Sequence, residues 1–406
     1  MKILVSAYAC EPGKGSEPEV GWQWVHQIAR FHETWVLTRG NNRHNIESGL
    51  RDKPQPNLHF EYIDLPDWAK FWKKGNRGVH AYYLIWQVLA AFKARELHRR
   101  IKFDLVHHVT FVNDWIGPGI ALLPIKLIWG PMGSNPYVSW RLIDSIGKRE
   151  YGAGLLRLFL RKTAPFRDPL VQLALRRSKK ILCCNKEVIS RLPKPFRAKT
   201  LVFPQNAIAI EEVIPRRIEN HEPLKIISVG RFVGIKGFRL TLQSFASHHQ
   251  KHPSSRLNIV GDGAQRKELE GLANELGISS SVTFTGQIPR NQVLELMANS
   301  DVFLFPSFEG GGMVMIEAMS KGLPVVCLDF GGPGEYVTAD CGIKAPLTSP
   351  QKVIEELAEG LNRLASEPEL YARMSAGAIQ RVRENFLWNQ VGERLNKIYQ
   401  EVATEK

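Results

Sequence analysis

The sequence predicts an α/β protein made of two Rossmann-like parallel-sheet domains facing an interdomain cleft. Three observations lead there. Short apolar strand-like runs alternate with helical segments from the amino terminus onward. The alternation restarts after a polar, proline-bearing stretch, Leu201–Pro223. The residues able to do chemistry cluster just after predicted strands, where open parallel sheets bind ligands. A chain of 406 residues also fits two or three domains at about 150 residues each.

Taken in order, KILVSAYA is the first strand, EVGWQWVHQIARF a helix, TWVLTRG and LHFEYIDL strands. A helix over Tyr82–Arg100 follows, then the strands FDLVHHVTF and IKLIWGP, a largely helical region over Arg141–Arg177, and the buried strand KKILCCN. Strand–helix alternation implies parallel pairing with both sheet faces covered. The second series opens with LKIISVG. It continues through a helix over Gly237–His249, the strand RLNIVGDG, a helix over Ala264–Leu276, VTFTG, a helix near Gln292–Ala298, DVFLFPS and PVVCLDF. The expected division is residues 1–205 and 206–387, with an amphipathic helix after Trp388 closing the chain.

Composition is ordinary for a globular protein, 44% hydrophobic and 23% charged. Nothing near Met1 resembles a signal peptide. Five scattered cysteines show no CxxC or Cys/His ligand spacing, so reduced thiols are expected and a metal site is not. The net charge of +14 favours anionic partners. Part of it lies in Asp67–Gly78, where Trp68, Phe71 and Trp72 interleave with Lys70, Lys73, Lys74 and Arg77. That composition suits the interface of an anionic membrane as well as it suits an ordinary core helix with a basic end. The expected location is cytoplasmic, at the membrane's inner face if the Trp68–Arg77 region binds lipid.

The segment FPSFEGGGMVMIEAMSKGLPVV carries the most information. Pro306 and Gly310–Gly312 exclude helix before Met313, so Glu309 sits on a loop and Glu317 one turn inside a helix ending near Gly322. A glycine turn feeding a helix start is an anion cradle, suited to a diphosphate. Carboxylates repel phosphate, so Glu309 and Glu317 are expected to face sugar hydroxyls. Upstream, SVGRFVGIKG places Arg231 and Lys236 on a short loop after a strand, with Gly230 allowing close approach. A guanidinium and an ammonium so placed suit diphosphate oxygens. Gly261 ends another strand, and Gln287 follows a third, where backbone groups could read a nucleobase. Gly13 and Gly15 offer amides before the first helix. His107 and His108 close a strand at the expected cleft, where an imidazole could orient a sugar. His248, His249 and His252 read as solvated residues at a helix end.

The motifs GRFVGIKG, IVGDGAQRKELE, PSFEGGGMVMIEAMSKGLPVV and GGPGE, in that order, resemble the retaining glycosyltransferases of family 4, which have the GT-B fold. The match covers most of the chain and is strongest over Ile226–Val337, with Glu309 and Glu317 reproducing the family's paired glutamates. The resemblance implies that Arg231 and Lys236 bind the donor diphosphate and Glu317 the ribose. Glu309, with Gly310, Gly311, Gly312, Met313 and Val314, would hold the transferred sugar. It further implies that residues 1–205 take the acceptor, residues 206–387 the donor, and that the final helix, 388–404, packs on the first domain. Asn206 is similar to the family's Pro-Asn-Gly segment, with Ala207 in place of its glycine. Gly311 stands where relatives commonly have Phe, and His107-His108 replaces a His-x-His pattern. KGSEPEVGW and WGPMGS resemble a subgroup that builds bacterial surface polysaccharides.

The expected activity is therefore retaining transfer of a sugar from a UDP- or GDP-sugar to a sugar or lipid-linked acceptor, without a metal. The alternatives are a GT-B phosphorylase or nucleotide-sugar epimerase, or a basic membrane- or nucleic-acid-binding module. Dispersal of the basic residues over strand ends, rather than one stripe, argues against nucleic acid.

Overall fold

The first sheet has seven strands, and the computed structural model places them in the order β3-β2-β1-β4-β5-β6-β7. They are β1 (Lys2–Ala7), β2 (Glu33–Arg39), β3 (Leu58–Ile63), β4 (Leu105–Thr110), β5 (Lys126–Met132), β6 (Ser178–Cys183) and β7 (Thr200–Val202). The second sheet has six, ordered β10-β9-β8-β11-β12-β13: β8 (Lys225–Val229), β9 (Arg256–Val260), β10 (Val282–Gly286), β11 (Val302–Phe305), β12 (Val325–Leu328) and β13 (Gly342–Ala345). Every pairing is parallel. The structure describes all residues except 71, 73–77, 112, 134–141, 144–146, 215–222 and 406.

Each sheet belongs to its own compact unit. The first unit is Met1–Ser134, Phe159–Gln205 and Trp388–Lys406; the second is Asn135–Leu158 and Asn206–Leu387. Leu142 and Tyr151, on the first-domain side of the expected division, pack with the core of the second unit. Central strands β4, β11 and β12 are buried along their whole length. Their runs of Val, Leu, Phe and His without exposed positions are what a parallel sheet covered on both faces requires.

Within the first unit the helix Trp388–Thr404 is held by specific contacts. Tyr399 Oη meets His107 Nδ1 at 2.5 Å, Arg30 Nη1 donates to Asn389 Oδ1 at 3.2 Å, and Lys126 Nζ donates to the Ala403 carbonyl at 2.8 Å. Within the second unit, the Ile208 amide donates to the Phe386 carbonyl at 2.9 Å, tying the start of this unit's main segment to its end.

Several elements differ from expectation. The first helix runs Ser16–Ala29, starting earlier than Glu19, because Gly15 at φ +67° turns the chain into it. The Glu19 carboxylate reaches back to the Gly13 amide at 2.6 Å, satisfying a donor just ahead of the helix. A helix over Arg43–Asp52 went unrecognised; it buries Ile46 alone, so the hydrophobic period is nearly silent. GGPGE, to which no element was assigned, opens the short helix Gly331–Tyr336, with Pro333 in the first turn where a missing amide costs nothing. His248 is not solvated. It is fully buried, its Nδ1 2.8 Å from Asn362 Oδ1 and its Nε2 3.0 Å from Ser255 Oγ. Burial holds its pKa down at about 4.

The five cysteines are buried and unpaired. No helix among the described residues is long and apolar enough to cross a membrane. Phe71, Lys73, Lys74 and Arg77 of the expected membrane segment lie outside the described residues. Trp68 is 80% exposed.

Candidate functional site

The carboxyl ends of β8, β9, β10 and β11 converge, and the loops that leave them are bonded to one another. Gly230 N donates to the Val260 carbonyl at 3.0 Å, Gly261 N to Gly286 O at 2.9 Å and Phe232 N to Asp262 O at 2.9 Å. Phe308 N donates to Ile235 O at 2.8 Å, joining the basic loop to the glycine-rich one. Gly237 makes this closeness possible. It sits at φ +71°, and a Cβ there would fall 2.0 Å from the Pro306 carbonyl oxygen.

This weld brings Lys236 against Glu309. Lys236 Nζ forms an ion pair with Glu309 Oε2, and both side chains are largely buried. The Glu309 pKa is raised, first because burial disfavours the charged form, against the opposing pull of Lys236 and Arg231. Its other oxygen, Oε1, is buried and has no hydrogen-bond partner among the described residues. A buried acceptor left empty costs free energy on the order of 1–3 kcal/mol unless something fills it. Gly312 gives that oxygen its room, since a Cβ there would lie 2.6 Å from Oε1.

Past Glu309 the chain runs through Gly310, Gly311 and Gly312 into the helix Met313–Ser320, and no side chain caps its start. The first amides of an α-helix, here those of Met313 and Val314 onward, lack intrahelical acceptors and carry the positive end of the dipole. Gly332 N donates to the Glu309 carbonyl at 2.9 Å, which pins the loop from behind. Gly311 has space around it: a Cβ there would meet Asn206 Nδ2 at 3.6 Å and Tyr336 Oη at 3.7 Å.

Beside this cradle lies a cavity of about 570 Å³ whose lining includes Gly230, Arg231, Gly261, Gln287, Ile288 and Val293. The structure therefore places four sequence-predicted residues, Gly230, Arg231, Gly261 and Gln287, around one hollow. Arg231 is exposed at its edge.

Glu317 occupies the first turns of the helix, and it is not alone. Arg290 Nε donates to its Oε1 at 2.7 Å, while Arg290 Nη2 pairs with Glu212 Oε2. Lys321 Nζ donates to the Glu212 carbonyl at 2.9 Å. Sequence reasoning missed Arg290, Glu212 and Lys321. Arg290 carried a signal, since it follows a strand end just as Arg231 does. Glu212 lies in a polar stretch with no periodicity, and only the fold brings it to Arg290.

The expectation for His107 and His108 is corrected. Both are fully buried in the first unit. His107 Nε2 is 2.8 Å from the Gly130 carbonyl and its Nδ1 faces Tyr399 Oη; His108 Nε2 is 2.8 Å from Tyr83 Oη and its Nδ1 3.0 Å from Ser6 Oγ. With both nitrogens of each ring engaged inside the core, neither imidazole is available to a substrate. Desolvation holds both pKa values down at about 3. Gly15 lies in the first unit at the helix start, where a Cβ would meet nothing within 4 Å. Among the described residues no cluster of three or more His, Cys, Asp or Glu could hold a metal ion.

Comparison with known proteins gives this geometry a context. The chain is 36% identical over 176 residues to an uncharacterised glycosyltransferase of Haemophilus influenzae, spanning 43% of this chain and 46% of that one. It is 26% identical over 229 residues to a glycogen synthase of Mycobacterium tuberculosis, 55% of this chain and 54% of that one. A GDP-mannose-dependent monoacylated phosphatidylinositol monomannoside mannosyltransferase of Corynebacterium glutamicum is 29% identical over 178 residues, 42% and 45% of the two chains. The chain thus spans about half the length of the curated relatives it matches. Among solved structures, Anabaena HepE in complex with UDP superimposes with a TM-score of 0.64 at 17% identity, over 99% of this chain and 100% of that one. Sucrose-phosphate synthase of Thermosynechococcus elongatus gives 0.66 at 16% identity, over 99% and 98%. At such identities the likeness establishes the fold, which is GT-B. Residues 209–381, which contain Arg231, Lys236, Glu309 and Glu317, match the model of the glycosyl transferases group 1.

Proposed function

We propose that this protein is a retaining glycosyltransferase that moves a sugar from a nucleoside-diphosphate sugar to an acceptor hydroxyl. The observation that carries the reading is Glu309. Its carboxylate is paired with Lys236 on one oxygen and holds the other buried and unpartnered beside a glycine turn and an uncapped helix start. An empty buried acceptor suits a sugar hydroxyl, and the neighbouring cations and amides suit a diphosphate.

The roles follow from charge and position. The nucleobase enters the hollow beside Gly261 and Gln287. Glu317, oriented by Arg290, accepts from the ribose hydroxyls. Arg231, Lys236 and the helix amides take the diphosphate, and Glu309 holds the sugar. In the transfer the bond from the sugar's anomeric carbon to the phosphate oxygen breaks and a bond to the acceptor oxygen forms on the same face. The acceptor proton passes to the departing phosphate. Charge accumulating on that phosphate is stabilised by Arg231, Lys236 and the helix start, which are already in place. In this reading those groups supply the positive charge, and no metal is invoked.

UDP is the first nucleotide to test, because structures of HepE contain UDP and UDP-glucose. A GDP-sugar is the second, from the mannosyltransferase relative. The acceptor class we propose is a sugar or lipid-linked sugar in surface polysaccharide or glycolipid assembly, at the cytoplasmic face of the membrane. A thermal-shift series with UDP-, GDP- and ADP-sugars tests the donor assignment, since a ligand at a hundred times its Kd stabilises by about 2.7 kcal/mol. No shift with any of the three would overturn it. An acceptor-independent product, or a requirement for free phosphate, would instead identify an epimerase or a phosphorylase.

A further inference from the structure

A second cavity lies on the first unit, along the helix Val79–Ile101. It is about 500 Å³, and its walls include Leu84, Val88 and Phe92 from the helix Val79–Ile101, and Leu122 and Leu123 from the turn leading into β5. Leu123 is buried, but the others are not core residues. Leu84 is 47% exposed, Val88 55%, Phe92 71% and Leu122 56%. Large side chains lining a groove in contact with water mark a binding surface rather than scattered surface apolarity.

The groove continues into charge. At 100° per residue, Leu84, Val88, Phe92, Arg95 and Arg99 fall on one stripe of the helix, the apolar residues in its first half and the arginines in its second. Arg95 and Arg99 also line the cavity. Neither has an ion-pair or hydrogen-bond partner among the described residues. The neighbouring acids are engaged elsewhere. Asp168 accepts from the amides of Leu170 and Val171 as a helix cap, and Glu96 pairs with Lys93 and Arg100 on an adjacent face.

We propose that this groove binds an anionic membrane lipid lengthwise, its hydrocarbon against Leu84, Val88, Phe92 and Leu122 and its head group at Arg95 and Arg99. The order of chemistry along the helix argues for this occupant. A helix lying flat on a bilayer separates apolar and basic residues onto different faces, whereas here they share a face and are separated along the axis. At 1.5 Å per residue, Leu84 to Phe92 covers roughly 12 Å, close to the hydrocarbon of one leaflet at about 15 Å, and the arginines follow within the next two turns.

The same geometry separates this lipid from an acceptor. The helix runs antiparallel to β4. Near its start Tyr83 Oη reaches His108 toward the carboxyl end of that strand, while near its end His98 Nδ1 accepts from the Phe103 amide just before β4 begins. Arg95 and Arg99 therefore lie toward the amino-terminal edge of the sheet. A head group held there is remote from the edge where α/β sheets bind substrates, so the lipid is an anchor and not the molecule that is glycosylated.

The test is co-sedimentation of the full chain with vesicles of phosphatidylcholine alone and of equimolar phosphatidylcholine and phosphatidylglycerol, without nucleotide sugar. Because no donor is present, the outcome is independent of the transferase reading. Wild-type protein is expected to bind the anionic vesicles and to bind phosphatidylcholine at least tenfold more weakly. The double substitution R95Q/R99Q is expected to reduce anionic-vesicle binding tenfold or more. V88N/F92N, which changes exposed positions and is expected to melt as wild type does, should reduce binding to a similar degree. Failure of the wild type to bind anionic vesicles, equal binding to both vesicle types, or unchanged binding by V88N/F92N would each overturn the proposal.

Discussion

Lys236 and Glu309, 73 positions apart in the chain, form an ion pair in which the carboxylate keeps its second oxygen buried and without a partner. The pair joins the loop after β8 to the loop after β11; in the proposed reading one side chain serves the phosphate side of the site and the other the sugar side. Separating the two contributions is the first experiment. Lys236→Ala is expected to lower kcat/KM by about 100- to 1,000-fold and to weaken nucleoside diphosphate binding, because it removes charge from the departing phosphate. Glu309→Gln should lower kcat by at least about 100-fold while leaving nucleoside diphosphate affinity unchanged or higher, since Lys236 is released to the phosphate. Titration calorimetry with UDP alongside steady-state kinetics distinguishes them; equal loss of UDP affinity in both variants contradicts the division of roles.

Arg290 tests the ribose end. Its guanidinium holds Glu317 Oε1 at 2.7 Å and reaches Glu212 on the other side. Arg290 is half exposed, so the ion pair itself contributes little to stability. Its expected effect is positional. Arg290→Ala should raise the KM for donor roughly tenfold with kcat within about twofold, the pattern of lost binding shared by ground and transition states. A fall in kcat with unchanged KM would place Arg290 against the reacting groups instead.

Two glycines in the site predict opposite outcomes. Gly237→Ala meets both an unfavourable φ of +71° and the Pro306 carbonyl at 2.0 Å, so a loss of about 3 kcal/mol or more is expected. Gly311→Ala meets only ordinary contacts with Asn206 and Tyr336, and stability should stay within about 1 kcal/mol. Its effect should fall on the donor sugar, since it narrows the space beside Glu309. Chemical denaturation of both variants, with a donor screen on Gly311→Ala, checks the pair.

Acid stability is set largely by buried neutral histidines. His107 and His108 have pKa values lowered to about 3, and His32 to about 4, all in the first unit. The unfolded chain takes up these protons near pH 6.5, while the folded unit does not until the pH reaches 3 to 4. Protons therefore favour unfolding across that window, and stability falls as the pH drops from about 6.5 toward 4, by up to about 1.4 kcal/mol per pH unit for each such histidine. Glu309, with its pKa raised, acts in the opposite direction and only offsets this in part. Urea melts between pH 7 and 4.5 measure the slope, and His107→Gln should flatten it. A stability that rises on acidification would contradict the burial of these rings.

The sequence by itself determined the class of the fold and most of the cradle. Alternating strand and helix patterns report a doubly covered parallel sheet because buried strands lose their polar positions, and glycine, proline and helix-stop signals are local. For the same reason Gly230, Arg231, Lys236, Glu309 and Glu317 were legible: each is tied to a strand end or a helix start within a few residues. What only the tertiary structure decided are relationships between distant segments. His107 and His108 end a strand in the sequence, but side-chain direction in the folded sheet turns both into the core, where Tyr399, Gly130, Tyr83 and Ser6 occupy their nitrogens. Arg290 meets both Glu317 and Glu212 only because the segment after β10 and the segment after β7 arrive beside the same helix. The stripe from Leu84 to Arg99 is written in the sequence, yet its exposure depends on which face the helix turns to the sheet. Local backbone chemistry can be read along a chain; burial and partnership are properties of packing, and packing is settled when the elements meet.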